Sequence, residues 1–257
     1  MALVMDQAAD GIWLVTGTDN NWVLVADGDE VTLVDAGFPR DLPLVLSSLE
    51  RIGRAPGDMR AIVLTHAHPD HIGASERLRA DRGIPVRLLS AEAAHARGEV
   101  IEQVSELQIL RTAWRPPVLL WAVRILRAGG ARVERLTQVE PFAPVSDPLD
   151  VPGRLVPVPT PGHTSGHCSF HLPERGVLIA GDALMTAHPT ERRIGPQLLP
   201  RMFNHDQATA LASLQALAEL PADVVLPGHG PAYRGSPASA VERAVAAHRG
   251  TPSAARR

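Results

Sequence analysis

The chain contains no lysine; all 25 of its basic residues are arginine. A Schiff-base lysine and a phosphate-loop lysine are therefore excluded. Cysteine is almost absent, with Cys168 alone, which excludes an intrachain disulfide and a multi-thiolate zinc site. Long apolar runs are also missing. The longest, PPVLLWAV at 116–123, falls far short of the roughly 20 residues a membrane span requires, so stable membrane insertion is not expected. The formal net charge of −3 offers no basic field for nucleic acid. The opening MALVMDQAADGIWLV lacks a charged segment followed by a cleavable apolar core, so the expected location is cytoplasmic.

The chain is 257 residues long and 45% hydrophobic, enough for one domain with a sizeable core. No Gly- or Ser-rich linker divides it. Short strands are expected at 11–17, 21–37 (folded back at DGDE, 27–30), 61–65 and 86–90, and again at 154–160, 167–172, 176–182 and 223–230. Helical spacing marks 41–53, 74–83, 206–220 (with Asp206 as N-cap) and 236–250. Two β-rich halves thus flank a helical insert at about 91–130. Within it, Val100, Val104, Leu107 and Leu110 recur at helical spacing, and a second helix follows Pro116–Pro117 and stops at Gly129–Gly130. These two helices read either as plain core or as a cover over a site. The tail, 251–257, is expected to be disordered.

Four of the buried-looking strands end in the same kinds of residue. AIVLT runs into HAHPDH, RLVPVPT into PGHTSGH, GVLIAG into Asp182, and DVVLP into GHG. In α/β sheets ligands bind beyond the carboxyl ends of strands. His66 and His68 lie two residues apart, and Pro69 disfavours helix at His68, so both imidazoles can turn toward one ion. His66, His68 and His163 would make one three-histidine site with an open position. Asp70, His71 and His229 would make a second, and Asp182 could bridge them. Imidazole and carboxylate suit two zinc ions, with iron or manganese as alternatives. Two such cations can share a water and lower its pKa toward neutrality. Each residue taken singly has a blander reading, as a loop histidine, a turn former or a helix cap. Those readings do not explain why seven such residues all follow strands.

The remaining histidines are expected to play lesser parts. His167 would support the ligands or pack beside them, and His188 is a candidate for the pocket mouth. His171 is a strand residue, His205 structural, and His95 and His248 surface residues. Cys168 reads as a small buried strand residue.

THAHPDH (65–71), PGHTSGH (161–167), Gly181–Asp182 and GHG (228–230), preceded by LVDAG (33–37), resemble the motifs of the metallo-β-lactamase-fold hydrolases in order and spacing, over roughly residues 10–235. The resemblance implies a four-layer αββα sandwich of two half-repeats with a dinuclear metal site at the edge between the sheets. It also implies that Asp35 is not a ligand but supports the metal loop through hydrogen bonds.

On this reading Asp70 also orients the attacking water and handles its proton, and the chain is a dinuclear zinc hydrolase of a small ester, thioester or lactone substrate. A β-lactamase of the group with a cysteine ligand and a lysine is disfavoured, because Asp182 stands at the ligand position and lysine is absent. The glyoxalase II group shares all seven ligand types but holds glutathione with a lysine-containing basic C-terminal segment. Homoserine-lactone lactonases place a tyrosine near the bridging aspartate, whereas here Asp182 is followed by ALMTAHP and the only tyrosine is Tyr233. An apolar insert bearing Trp114 and Trp121 would favour an apolar acyl substrate if it covers the site. The alternatives are a mononuclear iron thiol or persulfide dioxygenase, a β-lactam hydrolase, and a metal-binding protein without turnover. A homodimer is compatible with the sequence.

Overall fold

A computed structural model describes residues 3–144 and 147–250, so the tail expected to be disordered lies outside the described residues. The first sheet begins as an antiparallel meander of β1 (Val4–Ala9), β2 (Ile12–Thr16), β3 (Asn21–Asp27) and β4 (Glu30–Val34). It continues with β5 (Met59–Val63), β6 (Val86–Leu89) and β7 (Glu140–Phe142), each parallel to the one before. The tight turn at 27–30 between β3 and β4 uses Gly28 at φ 57°, a conformation glycine adopts without a Cβ clash. The second sheet is built from β8 (Val156–Pro159), β9 (Cys168–Leu172), β10 (Val177–Gly181), β11 (Val224–Pro227) and β12 (Tyr233–Arg234), in the order β12-β11-β10-β9-β8.

The helices are α1 (Leu42–Arg51), α2 (Pro69–Ile72), α3 (Ser75–Arg82), α4 (Ala93–Ala96), α5 (Glu106–Thr112), α6 (Pro116–Arg127), α7 (Gln207–Ala218) and α8 (Pro237–Gly250). Side chains alternate along each strand, and both faces are apolar. From β3, β5 and their neighbours, Leu24, Leu33 and Ile62 pack outward against Val45 and Leu49 of α1 and Leu78 of α3. Val23, Val25, Ala61 and Val63 point inward and meet Phe170, Val177, Ile179 and Leu226 of the second sheet. On the far side Leu178, Ala180 and Val225 pack against Leu214 and Leu217 of α7 and Ala240 and Ala244 of α8. The result is the four-layer αββα sandwich. Each fully buried Val, Leu or Ile adds about 1.5–3 kcal/mol of transfer free energy, which is why these strands carry apolar residues on both faces.

Three of the strands were not expected from the sequence: β1, β7 and β12. The last two are only three and two residues long, EPF and YR, and carry no readable alternation. The insert also differs from expectation. Its first helix starts at Glu106, because Ser105 Oγ accepts from the Gln108 amide at 3.2 Å and Gln108 Oε1 accepts from the Ser105 amide at 3.0 Å, a reciprocal cap. Val100 and Val104 therefore precede the helix. Residues 90–96 form a short helical turn and α4 that pack against the site instead of covering it. Asp206 caps α7 as expected, accepting from Ala208 and Thr209.

No helix among the described residues is long and apolar enough to cross a membrane. For the site, the decisive feature is strand direction. β4 and β5 run parallel, as do β10 and β11, and β8 shares the direction of β10 through the antiparallel β9 between them. The carboxyl ends of β5, β8, β10 and β11, where the histidine and aspartate motifs follow, thus open on one edge of the sandwich.

Candidate metal centre

At that edge the two sheets bring together His66, His68, Asp70, His71, His163, Asp182 and His229. Three groups have donor atoms within 4.8 Å of one another: His66 with His68 and His163, His66 with His71 and Asp182, and Asp70 with His71 and His229. All five imidazoles are buried, and so is Asp182. His163 Nε2 lies 3.1 Å from His66 Nε2 and 2.8 Å from His68 Nδ1. The Asp182 carboxylate sits between the groups, with Oδ2 3.3 Å from His163 Nε2 and 3.2 Å from His229 Nε2, and Oδ1 3.5 Å from His71 Nε2.

Each histidine turns one nitrogen inward and anchors the other. His68 Nε2 donates to the Glu102 carbonyl at 2.6 Å, and His229 Nδ1 to the Asp19 carbonyl at 2.6 Å. His71 Nδ1 donates to Asp35 Oδ2 at 2.8 Å, and His163 Nδ1 to Asn204 Oδ1 at 2.9 Å. His66 Nδ1 donates to Thr65 Oγ1 at 3.0 Å, whose own hydrogen goes to Asp35 Oδ2 at 2.8 Å. Since the outer partners accept, each ring keeps a proton outside and turns its inner nitrogen into one small volume, where His66, His68 and His163 present lone pairs. Lone pairs 2.8–3.1 Å apart repel unless a cation lies between them. His71 Nε2 and Asp182 Oδ1 are buried with no hydrogen-bond partner, a cost that ligation would remove. The donor set therefore fits divalent cations.

Electrostatics divides the cluster. Burial, reinforced by neighbouring histidines, holds His66, His68 and His163 below the ordinary imidazole value, so this trio is neutral. Burial also opposes charge on His71 and His229. There Asp182, with Asp35 or Asp70, wins and raises both, His229 to about 9. Burial works against the Asp182 carboxylate too, yet His229 and His71 hold it well below the usual carboxylate range.

The loops are tied down from below. Asp35 has a left-handed backbone, φ 61°, unusual for a residue with a Cβ. Its carboxylate takes the Thr65 amide and hydroxyl and the His71 ring, each at 2.8 Å. His167 is outside the cluster. Its Nδ1 bonds to Thr160 Oγ1 at 2.8 Å and its Nε2 accepts the Asp182 amide at 3.0 Å, which orients Asp182. Gly228 precedes His229 because a Cβ there would collide with the Asp182 carboxylate.

Glu92 is the residue that the sequence reading missed. It is fully buried, and its two oxygens accept from the Ala67 amide, His95 Nδ1, Thr164 Oγ1 and the Gly166 amide at 2.8–3.1 Å. One carboxylate thus joins the 65–71 loop to the 161–167 loop. His95, expected at the surface, is buried at its side, 5.4 Å in ring separation from His68. The local signal was an i, i+3 pairing of Glu with His in AEAAHA, which looks the same on an exposed helix. The remaining histidines stay apart from the cluster: His171 bonds to the Pro221 carbonyl at 2.8 Å, His205 is exposed, and His248 lies half-buried on α8. Burial pushes the Cys168 thiol up to about 12 and leaves it inert.

A cavity of about 670 Å³ opens from the cluster and is reached by His68, Asp70, His163, Asp182 and His229. Its other walls are mainly apolar: Phe38, Ile109, Trp121, Ile125, Leu199 and Phe203. The insert covers this cavity. Trp121 and Val118 pack on Met185, Leu199 and Phe203. His188 also lines it, with its ring 5.7 Å from Trp121 and 5.1 Å from His229. Burial, then His229, brings His188 down to about 3, so it is neutral. Trp114 does not belong to the pocket. It is 80% exposed, because the turn between α5 and α6 carries it away from the sandwich. Tyr233 bonds to Ser239 Oγ at 2.9 Å on the outer side of the second sheet and takes no part in the site.

The description of the metallo-beta-lactamase superfamily matches residues 15–229. The chain belongs to that superfamily. It is 28% identical over 213 residues to the probable metallo-hydrolase YflN of Bacillus subtilis, covering 80% of this chain and 78% of that protein. It is 29% identical over 209 residues to a hydroxyacylglutathione hydrolase of Rhizobium meliloti, covering 81% of this chain but 61% of the relative. Among solved structures, a metallo-beta-lactamase family protein from Thermus thermophilus superposes with a TM-score of 0.66 at 26% identity, over 95% of this chain and 81% of that one.

Proposed function

We propose that the chain is a dinuclear zinc hydrolase that cleaves an ester, thioester or lactone bond of a small apolar acyl substrate. The observation that carries this reading is the set of five histidines, each with its outer nitrogen anchored and its inner nitrogen turned into one cluster around Asp182 and His163 beside an apolar cavity. His66, His68 and His163 would hold one cation, Asp70, His71 and His229 the other, with Asp182 shared. Bound divalent cations supply Lewis acidity and an acidified water. Since ligands come from both sheets, the chain works as one unit on this reading.

The protein's own groups account for the rest. Asp70 is partly open to the cavity, with Oδ2 3.5 Å from His229 Nε2 and 3.7 Å from His71 Nε2. Asn20 donates to its carbonyl and holds the loop. Its carboxylate is placed to orient a water and take its proton. His188 Nδ1 accepts from Thr190, which leaves its Nε2–H as a donor for a substrate oxygen. Trp121, Phe203 and Leu199 exclude water from an acyl chain. The match to hydroxyacylglutathione hydrolases supports a thioester as one of the bond types.

The test is metal quantification followed by a panel of thioesters, lactones, esters and β-lactams. The expected result is close to two zinc ions per chain and turnover of an ester-type member, lost on chelation and restored by zinc. One iron per chain with oxygen consumption would replace this reading with thiol oxidation. Turnover of β-lactams alone would replace it with lactam hydrolysis.

A further inference from the structure

Exposed apolar side chains are concentrated in one part of the molecule. Of the ten large ones exposed among the described residues, eight lie between 100 and 126. Six belong to α5, α6 and the turn between them: Leu107, Leu110, Trp114, Leu119, Leu120 and Leu126, each 50–80% exposed. Leu107, Leu110 and Arg111 share one face of α5, and Trp114 follows in the turn. On α6, Val118 and Trp121 turn inward. Leu119, Val123 and Leu126 form the next stripe round the helix, and Leu120, Arg124 and Arg127 the one after it. Leu110, Leu119 and Leu126 line the cavity and are exposed as well, so they stand at its mouth.

The charge of this segment is opposite to that of the chain. Residues 107–133 hold five arginines and no acidic residue, with Glu106 and Glu134 just outside, whereas the whole chain carries −3. Arg124 pairs with Asp19 at 2.6 Å. Arg111, Arg115, Arg127 and Arg132 are exposed and form no ion pair among the described residues. Apolar side chains exposed together in this way mark an interaction surface. A second copy suits it poorly, because a two-fold pairing sets the patch against itself and brings unpaired arginines face to face. An anionic bilayer suits both features. Leucine and tryptophan enter the boundary between headgroups and acyl chains, and arginine lays its stem on apolar surface with the guanidinium among the phosphates. Trp114, set between Arg111 and Arg115 in sequence, is placed for that boundary.

We propose that the α5–α6 insert docks the protein on the surface of an anionic lipid bilayer, with the cavity mouth toward the lipid. The attachment is peripheral, since no helix among the described residues is long and apolar enough to cross. It does not depend on the reaction at the histidine–aspartate cluster.

The test is flotation of the full chain with vesicles of phosphatidylcholine alone and of phosphatidylcholine with an equal part of phosphatidylglycerol. Binding to the anionic vesicles is expected to be at least about tenfold stronger and to weaken as salt is raised. Arg111→Gln combined with Arg115→Gln should remove most of that preference. Trp114→Ser combined with Leu120→Ser should weaken binding to the anionic vesicles by about tenfold or more. All four positions are exposed, so the melting temperature should not change; if a variant unfolds, the wild-type preference and its salt dependence still decide. The proposal is overturned if the wild type binds neither vesicle or both equally, or if the preference survives both double variants, since another surface then carries the attachment. A dimer seen in sedimentation and dissolved by the Trp114 and Leu120 substitutions, without vesicle binding, overturns it in favour of a second copy. Arginine-dependent capture of polyglutamate that matches vesicle binding and ignores those two substitutions overturns it in favour of an acidic protein.

Discussion

The strand-end loops and the α5–α6 insert face each other across one cavity, and they are built on opposite terms. In the loops nearly every polar side chain has a defined partner. Asp35 anchors two residues, Glu92 four groups, and each histidine is held by its outer nitrogen. In the insert, α5 buries no residue, and Ile101, Leu107, Leu110, Trp114, Leu119, Leu120 and Leu126 are exposed. Val118 and Trp121 are the buried side chains of α6, and two surface bonds, Arg124 to Asp19 at 2.6 Å and Arg40 to the Arg127 carbonyl at 2.7 Å, complete its attachment. Directional bonds fix these side chains to fractions of an ångström, as a metal site would require. Apolar contacts are non-directional and tolerate change in shape. On the proposed reading, the reaction and the choice of substrate would be carried by these two separate parts of the molecule.

If that division holds, damage should be graded. His66→Ala and Asp182→Asn should reduce turnover by more than about a hundredfold, above the range typical for residues that only orient ligands; steady-state kinetics with metal analysis checks this. Glu92→Ala leaves two amides, a hydroxyl and the His95 ring without their acceptor, each worth about 1–3 kcal/mol when buried. It should weaken zinc affinity by about 10- to 100-fold and lower the melting temperature, measured by chelator competition and calorimetry. Glu92→Gln should recover part of both. Across the cavity, Trp121→Ala should cost up to about 3 kcal/mol and raise KM for long-acyl substrates more than for short ones, with kcat preserved. A fall in kcat with unchanged KM would break the comparison by placing the insert in the chemistry. Trp114→Ala should change stability by no more than about 0.5 kcal/mol and leave kinetics untouched; an effect on long-acyl KM would show that the exposed tryptophan closes over bound substrate.

The site was legible where its signals are local. THAHPDH, PGHTSGH, GD and GHG each follow an apolar run, and strand propensity and ligand chemistry occupy adjacent positions. The two halves of the sandwich were legible for the same reason. Glu92 and His95 were not, because AEAAHA reads as an ordinary exposed helix until β6 delivers it beneath the Ala67 amide. Trp114 and Trp121 sat in the same apolar stretch, and periodicity could not say which would meet Phe203.

The order of residues alone therefore determined the long central strands, the residues at their carboxyl ends and the kind of chemistry they suit, because strand formation and ligand type depend on neighbours in sequence. Tertiary structure decided which nitrogen of each histidine faces inward, which carboxylate joins the two histidine loops, and which tryptophan lines the cavity. Those outcomes depend on groups brought together from positions up to 210 residues apart, such as Asp19 and His229, and the free energy of burial and of satisfying each buried polar group acts only once they meet.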